Sequence, residues 1–188
     1  MTTQYLSAYS DQITSLLGEF KEAELIESAK IISGNSSLTG KIIIAGNGGS
    51  AAMASHVTVD FLKAASIRCL NFNEPDLITC YANDYGYDNW VKKALESYLD
   101  SGDTVILVSS SGTSKNIVNA ADYCVNRKVN LITLSGFNRG NPLSLLGDVN
   151  IWVNSNVYNY VEMAHHIWLV ALVDYFANKK EALQSKKT

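Results

Sequence analysis

At 188 residues and 20.5 kDa, with 47% hydrophobic residues, the chain has material for one compact domain with a sizeable core and little room for a second. A net charge of -3 and a pI near 5.6 argue against a nucleic-acid surface, and the longest apolar stretch, residues 167–173, is far too short to span a bilayer. Three cysteines, Cys69, Cys80 and Cys124, form no C-x-x-C pair, so neither a disulfide framework nor a zinc knuckle is expected. With no signal-like N-terminus, the cytoplasm is the expected compartment.

Apolar side chains recur at three- and four-residue spacing over residues 4–33, from Leu6 and Tyr9 to Ala29 and Ile32, which predicts one long amphipathic helix ended by Gly34-Asn35-Ser36-Ser37. At 1.5 Å per residue such a helix runs about 45 Å and overhangs a small domain, so part of its face is expected to pack on another subunit. Next comes Ile42-Ile43-Ile44-Ala45, an apolar run typical of a strand buried on both faces, leading into Gly46-Asn47-Gly48-Gly49-Ser50 and a helix over residues 51–63. A strand, a glycine turn and a helix N-terminus together bring backbone donors and a positive dipole end to one point, which suits an anion. An ordinary turn is the competing reading. The loop has no glycine at the sixth position and no Gly-Lys-Ser/Thr ending, so it is neither a dinucleotide fingerprint nor a nucleotide P-loop.

Residues 67–72 read as a second strand, and Pro75 opens a helix that Asn83-Asp84-Tyr85-Gly86-Tyr87 is expected to interrupt. A helix over residues 89–99 and a turn at Ser101-Gly102-Asp103 lead to the wholly apolar strand 104–108. That strand runs into Ser109-Ser110-Ser111-Gly112-Thr113-Ser114 and a helix over residues 116–127, a second strand-loop-helix anion site. Strands at 131–134 and 149–153 are separated by a segment with a helical turn after Pro142, and a last helix covers residues 158–179. Strands alternating with helices at this spacing predict an α/β domain with a parallel sheet covered on both faces.

GNGGSA after the first strand, ANDYG mid-chain and SSSGTS after the third strand together resemble the sugar isomerase (SIS) domain family, and within it the phosphoheptose isomerase type. The resemblance implies a single SIS domain over residues 1–188, with residues 1–35 as a helix for oligomer packing and residues 40–180 as a five-stranded, flavodoxin-like core. It also implies a homotetramer that interconverts sedoheptulose 7-phosphate and a heptose 7-phosphate for lipopolysaccharide or capsule precursors. Carried over by residue, it places Ser109, Ser110, Ser111 and Ser114 on the phosphate and Asn47, Gly48 and Gly49 along the sugar. Asn83 and Asp84 would touch sugar hydroxyls or a neighbouring subunit's site, and His56 matches a histidine that binds zinc in some members.

Elsewhere the chain departs from the family pattern. Asp60 stands where the family has a catalytic glutamate, and an ungapped match through Glu162 puts Val161 and Leu169 at the positions of a glutamine and a catalytic histidine. The segment between Lys63 and Ile67 is shorter than the usual form, and an arginine often found there has no match, leaving Lys63 as the candidate replacement. His165 lies with Val161 and Leu169 at i, i+4 and i+8 on one helical face, with His166 rotated off it. Proton transfer between adjacent sugar carbons needs a base and an acid or metal, which Asp60 and His165 would supply. Alternatively, His56, Asp60 and His165 would bind zinc with one position open. The competing functions are a non-catalytic sugar-phosphate-binding or regulatory protein of the same fold and, more weakly, a nucleotide-binding domain.

Overall fold

A computed structural model describes residues 2–19, 21–34 and 40–185. Five strands, β1 (Ile42–Gly46), β2 (Cys69–Asn71), β3 (Thr104–Ser109), β4 (Asn130–Ser135) and β5 (Val149–Trp152), form one parallel sheet in the order β2-β1-β3-β4-β5. Ile42 pairs with both Cys69 and Thr104, and Ile132 with Val149. The central strands β1, β3 and β4 were readable as largely apolar runs buried on both faces, whereas the edge strands β2 and β5 are shorter and only partly buried.

Alternation along the strands divides the core in two. Ile42, Ile44, Ile106, Val108, Ile132 and Leu134 face α2 (Glu22–Gly34), α3 (Gly49–Asp60) and α7 (Tyr158–Gln184). Ile43, Ala45, Val105, Leu107 and Leu131 face α5 (Trp90–Tyr98) and α6 (Lys115–Arg127), with α4 (Pro75–Tyr85) at the margin of that layer. The α/β architecture with a flavodoxin-like sheet and a long last helix is therefore as expected.

The single N-terminal helix is corrected to two. A first helix, α1, covers Thr3–Gly18, and Glu19 caps it before α2 begins at Glu22. The break falls at a glycine, where helix propensity is low, and the two halves have different partners. Leu16 and Tyr9 of α1 pack against the start of α7, with Tyr9 and Tyr160 ring centroids 4.9 Å apart, whereas Ala29 and Ile32 of α2 enter the main core. Phe20 and the expected helix stop at Asn35, Ser36 and Ser37 lie outside the described residues. Two smaller differences bear on the site. Asn83 and Asp84 belong to α4 rather than interrupting it, and α3 continues into a π-helical turn, Phe61–Ala65, closed by Ser66 in the left-handed region.

At the edge opposite the strand carboxyl ends, buried Lys41 donates from Nζ to Asp103 Oδ2 at 2.6 Å and to Asp100 Oδ2 at 2.7 Å. Asp103 Oδ1 also accepts the Lys41 backbone N–H at 2.9 Å, so this carboxylate clasps the start of β1 to the start of β3. Burial alone would lower the Lys41 pKa, but the bonds to Asp100 and Asp103 outweigh it and hold the ammonium above its usual range. Asp103→Ala removes one of the two carboxylates on the ammonium and the acceptor of the Lys41 backbone N–H, leaving Asp100 in place, and is expected to lower stability by about 1–3 kcal/mol in urea unfolding. A loss below about 1 kcal/mol, typical of an exposed pair, would contradict the clasp.

Candidate functional site

In an open parallel sheet, ligands bind beyond the strand carboxyl ends, where neighbouring strands send their connections in opposite directions. Here that point lies between β1 and β3. The loops leaving these two strands are the glycine loop and the serine loop, so the topology alone brings the two candidate anion sites together. Gly48 has φ 52° and ψ -121°, a conformation closed to residues with a side chain, and it starts α3. At Gly49 a Cβ would overlap the carboxylate of Glu162, which packs directly on this backbone.

Asn47 joins the loops. Its Nδ2 donates to Asn116 Oδ1 and its Oδ1 accepts from Asn116 Nδ2, both at 2.9 Å, while the Tyr87 hydroxyl also donates to Asn47 Oδ1 at 3.2 Å. Asn116, in the first turn of α6, is 2% exposed.

The serine loop is tied down from below and open above. Gly112 N–H donates to Ser109 O, and Leu143 N–H donates to Gly112 O. The Ser109 hydroxyl donates to Ser114 Oγ at 3.1 Å, and Ser111 and Thr113 share a bond of 3.0 Å. Ser114 is the N-cap residue of α6; its side chain accepts no N–H from the first turn, and its carbonyl accepts those of Ile117 and Val118, so the N–H groups of Lys115 and Asn116 remain for a ligand. The Ser110 hydroxyl is buried with no partner, and a buried hydroxyl without a hydrogen bond is costly. It lines a pocket of about 90 Å³ together with Asn47, Ser50, Ser109, Ser111, Ser114, Tyr158 and Glu162. At roughly 30 Å³ per water, this space holds about three waters, enough for a phosphate group but not a whole sugar. Larger recesses of about 410 and 670 Å³, around Lys41 and Phe176 and around Arg139 and Trp152, include no residue of either loop.

A SIS domain model matches residues 8–136 of this chain. The phosphoheptose isomerase of Colwellia psychrerythraea is 35% identical over 142 residues, covering 71% of this chain and 72% of that protein. The chain belongs to the SIS domain family, and within it to the phosphoheptose isomerase type. The phosphoheptose isomerase of Shewanella halifaxensis is 31% identical over 166 residues, covering 82% of this chain and 79% of that one. Among solved structures, phosphoheptose isomerases from Neisseria gonorrhoeae and Francisella tularensis superpose with TM-scores of 0.83 and 0.84. They cover 92% and 95% of this chain and 97% and 100% of their own, at 22% and 21% identity, a likeness of fold alone.

Within this SIS domain, Asn47, Ser109, Ser110, Ser111 and Ser114 converge on one pocket; Gly48 and Gly49 do not line it but hold the turn between Asn47 and α3, with Gly49 against the pocket residue Glu162. Asn83 and Asp84 do not line it. Both are exposed at the end of α4, where Asn83 Nδ2 donates to Asp84 Oδ1 at 2.9 Å, and it is Tyr87 of the same segment that reaches the glycine loop.

The pairing of His165 with Asp60 is corrected. Val161, His165 and Leu169 do share a face of α7, but all three are fully buried because that face is turned to the core. His165 Nε2 lies 3.0 Å from the Ser135 carbonyl, so the ring donates there, and its Nδ1 is buried without a partner. Glu162 and His166, one turn apart, face α3 instead. His166 Nε2 and His56 Nδ1 are 2.7 Å apart, and His56 Nε2 lies 3.1 Å from Asp60 Oδ2, a relay that runs from His166 through His56 to the carboxylate. Burial chiefly, with the neighbouring His56, holds the His166 pKa below its usual value, while Asp60 opposes the shift.

The proposed zinc trio of His56, Asp60 and His165 therefore does not assemble, since His165 is sealed on another face. His166 does not complete it in this arrangement either. Two imidazoles on one tetrahedral zinc stand about 3.3 Å apart at zinc–nitrogen distances near 2.0–2.1 Å, whereas these two are in hydrogen-bond contact at 2.7 Å. Among the described residues no group of three or more His, Cys, Asp or Glu side chains is arranged to hold a metal ion.

Glu162 is the residue that sequence reasoning passed over. It is partly buried, has no hydrogen-bond partner among the described residues, and burial raises its pKa. In the sequence it served only to anchor the match of the last helix to the family's glutamine-glutamate pair, with no role assigned to it; its contact with Gly49 arises from the tertiary fold.

Burial pushes the His165 pKa down to about 4 against 6.5 for a free imidazole, the bond to Ser135 opposing the shift only in part. The unfolded chain therefore binds more protons at this position between those values, and stability falls as pH drops from 6.5 towards 4. The shift corresponds to about 3 kcal/mol. The difference in urea stability between the wild type and His165→Gln, which keeps a donor for Ser135 but does not titrate, is expected to shrink by most of that amount over this window. A difference independent of pH would mean that the imidazole is not sealed.

Proposed function

We propose that this protein is an aldose-ketose isomerase of a phosphorylated sugar, with sedoheptulose 7-phosphate and the corresponding heptose 7-phosphate as its substrate pair. The observation that carries the reading is a small pocket lined by four serines of one loop, next to the N-terminus of α6 and with the buried Ser110 hydroxyl unpartnered. A phosphate oxygen satisfies that hydroxyl and the free N–H groups together. The names of the relatives at 30–35% identity support the reaction class and the heptose substrate. A pocket that admits only the phosphate leaves the sugar chain lying outward past Asn47, Gly48 and Gly49, with its carbonyl end free to react.

Ser110→Ala and Ser111→Ala are each expected to weaken sedoheptulose 7-phosphate binding by about 1.5–3 kcal/mol in calorimetry, the range for one hydrogen bond to a charged group. Unchanged affinity in both variants would place the phosphate elsewhere. Turnover is expected to be the same with and without added zinc, because the histidines and carboxylates near the site do not present a metal geometry. A second reading, a sugar-phosphate-binding protein without turnover, draws on the burial of His165, Val161 and Leu169 in the core. Tight binding with no product under either condition would favour it.

We also propose that the chain assembles as a homotetramer. Met163, Ile167 and Tyr175 of α7, Val59 of α3, Leu62 of the π turn, and Tyr5 and Leu6 of α1 are exposed, more apolar surface than a monomer usually leaves on its longest helices. Sedimentation at micromolar concentration is expected to give four chains per particle. A 20.5 kDa species would refute the assembly.

A further inference from the structure

A phosphate monoester carries close to two negative charges at neutral pH, its second pKa being about 6. Sites that hold one commonly supply lysine or arginine. The small pocket at the serine loop supplies neither among the described residues: its polar groups are the serine hydroxyls, the Asn47 amide, the Tyr158 hydroxyl and the Glu162 carboxyl. Its positive potential comes from the start of α6, where the N–H groups of Lys115 and Asn116 remain for a ligand. The Lys115 ammonium itself is exposed and turned to Asp88 Oδ2 at 3.7 Å.

A carboxylate in this setting is unexpected. Glu162 lies so close to the Gly49 backbone that a Cβ there would overlap it, which fixes its carboxyl at the pocket wall. Burial lifts its pKa above the usual carboxylate range, and no charged neighbour offsets that shift. The groups around it are already committed. On α7, His165 bonds to the Ser135 carbonyl and His166 to His56, while on α3 His56 is held in turn by Asp60. Tyr158, one turn earlier on α7, offers a hydroxyl donor, Tyr87 is bound to Asn47, and the serine loop carries no titratable side chain.

We propose that Glu162 is a specificity residue of the phosphate site: a phosphate group enters with one proton held between one of its oxygens and the Glu162 carboxylate. The proposal rests on the sugar-phosphate reading of this pocket. Two bare anions within a space of about 90 Å³ repel each other, and one shared proton turns that repulsion into a charge-assisted hydrogen bond. The proton comes from solvent, and no other bond forms or breaks. Wherever the free carboxylate and the free phosphate are both ionised, the complex holds one proton more than its parts, so affinity falls as pH rises, by about tenfold per pH unit for a full proton. Phosphate suits the arrangement because it holds a proton readily near neutral pH. Sulfate, of similar size and charge, stays fully ionised and is disfavoured.

Calorimetric titration with sedoheptulose 7-phosphate at about pH 7.5, in two buffers of different ionisation enthalpy, counts the protons taken up on binding. The wild type is expected to take up about one proton per ligand and to lose about tenfold in affinity between roughly pH 7 and 8. Glu162→Gln keeps the shape of the side chain without its charge, and is expected to take up almost none and to hold its affinity over that interval. Sulfate is expected to compete for the variant's site at least about tenfold more strongly than for the wild type's. Retained affinity also shows that the variant's site is folded. Wild-type binding without proton uptake overturns the proposal while leaving the phosphate site intact, the result expected if a neighbouring subunit supplies a lysine or arginine to the pocket. Proton uptake that is the same in Glu162→Gln overturns it as well. If the wild type binds no sedoheptulose 7-phosphate, the sugar-phosphate reading falls and the proton linkage falls with it.

Discussion

Two hydrogen bonds between the amides of Asn47 and Asn116 hold the functional end of this molecule together. One amide belongs to the loop after β1 and the other to the first turn of the helix after β3, so the pair spans the place where the sheet reverses its winding. Each amide satisfies the other. A single amide left alone in this crevice would need water or a ligand in its place, and the two loops would be free to drift apart. With the pair closed, Gly48, Gly49 and the serine loop share one frame, and the Tyr87 hydroxyl fastens the following segment to it. The pocket depends on that frame, because Ser109, Ser110, Ser111 and Ser114 come from one loop and Asn47 and Ser50 from the other.

The last helix sorts its residues by direction. The stripe formed by Val161, His165, Leu169, Leu172 and Phe176 enters the core, and the neighbouring stripe formed by Glu162 and His166 looks at α3. α3 and α7 both start at the carboxyl edge of the sheet and run away from it side by side, so contacts between them step inward from Gly49 with Glu162 to His56 with His166. A carboxylate therefore reaches the mouth of the site, and the histidine relay sits deeper along the helix pair. Rotating α7 by one residue would exchange these roles; the apolar stripe prevents it.

Most of the fold was legible because a parallel sheet buried on both faces writes each strand as an apolar run, and Gly48 and Ser110 sit where the following loops need them. The break between α1 and α2 was not, since apolar spacing continues through residues 16–26 with no proline, and only the separate partners of Leu16 and Ala29 divide the helix. His165 shows the limit of helical spacing. It tells which residues share a face but not where that face points, although the apolar neighbours Val161 and Leu169 already marked it as a core face. Glu162 was legible as the anchor of the family match in the last helix, but its contacts with Gly49 and the serine pocket were not, because those residues are distant in sequence.

The central claim is that the phosphate of a sugar-phosphate substrate sits at the serine loop, in the small pocket shared with Asn47. A crystal structure of the protein with sedoheptulose 7-phosphate tests it most directly. The account predicts a phosphate oxygen within hydrogen-bond distance of the serine-loop hydroxyls and the N–H groups of Lys115 and Asn116 at the start of α6. A phosphate found instead in the recess lined by His56 and His166, or in the one around Lys41 and Phe176, would contradict it.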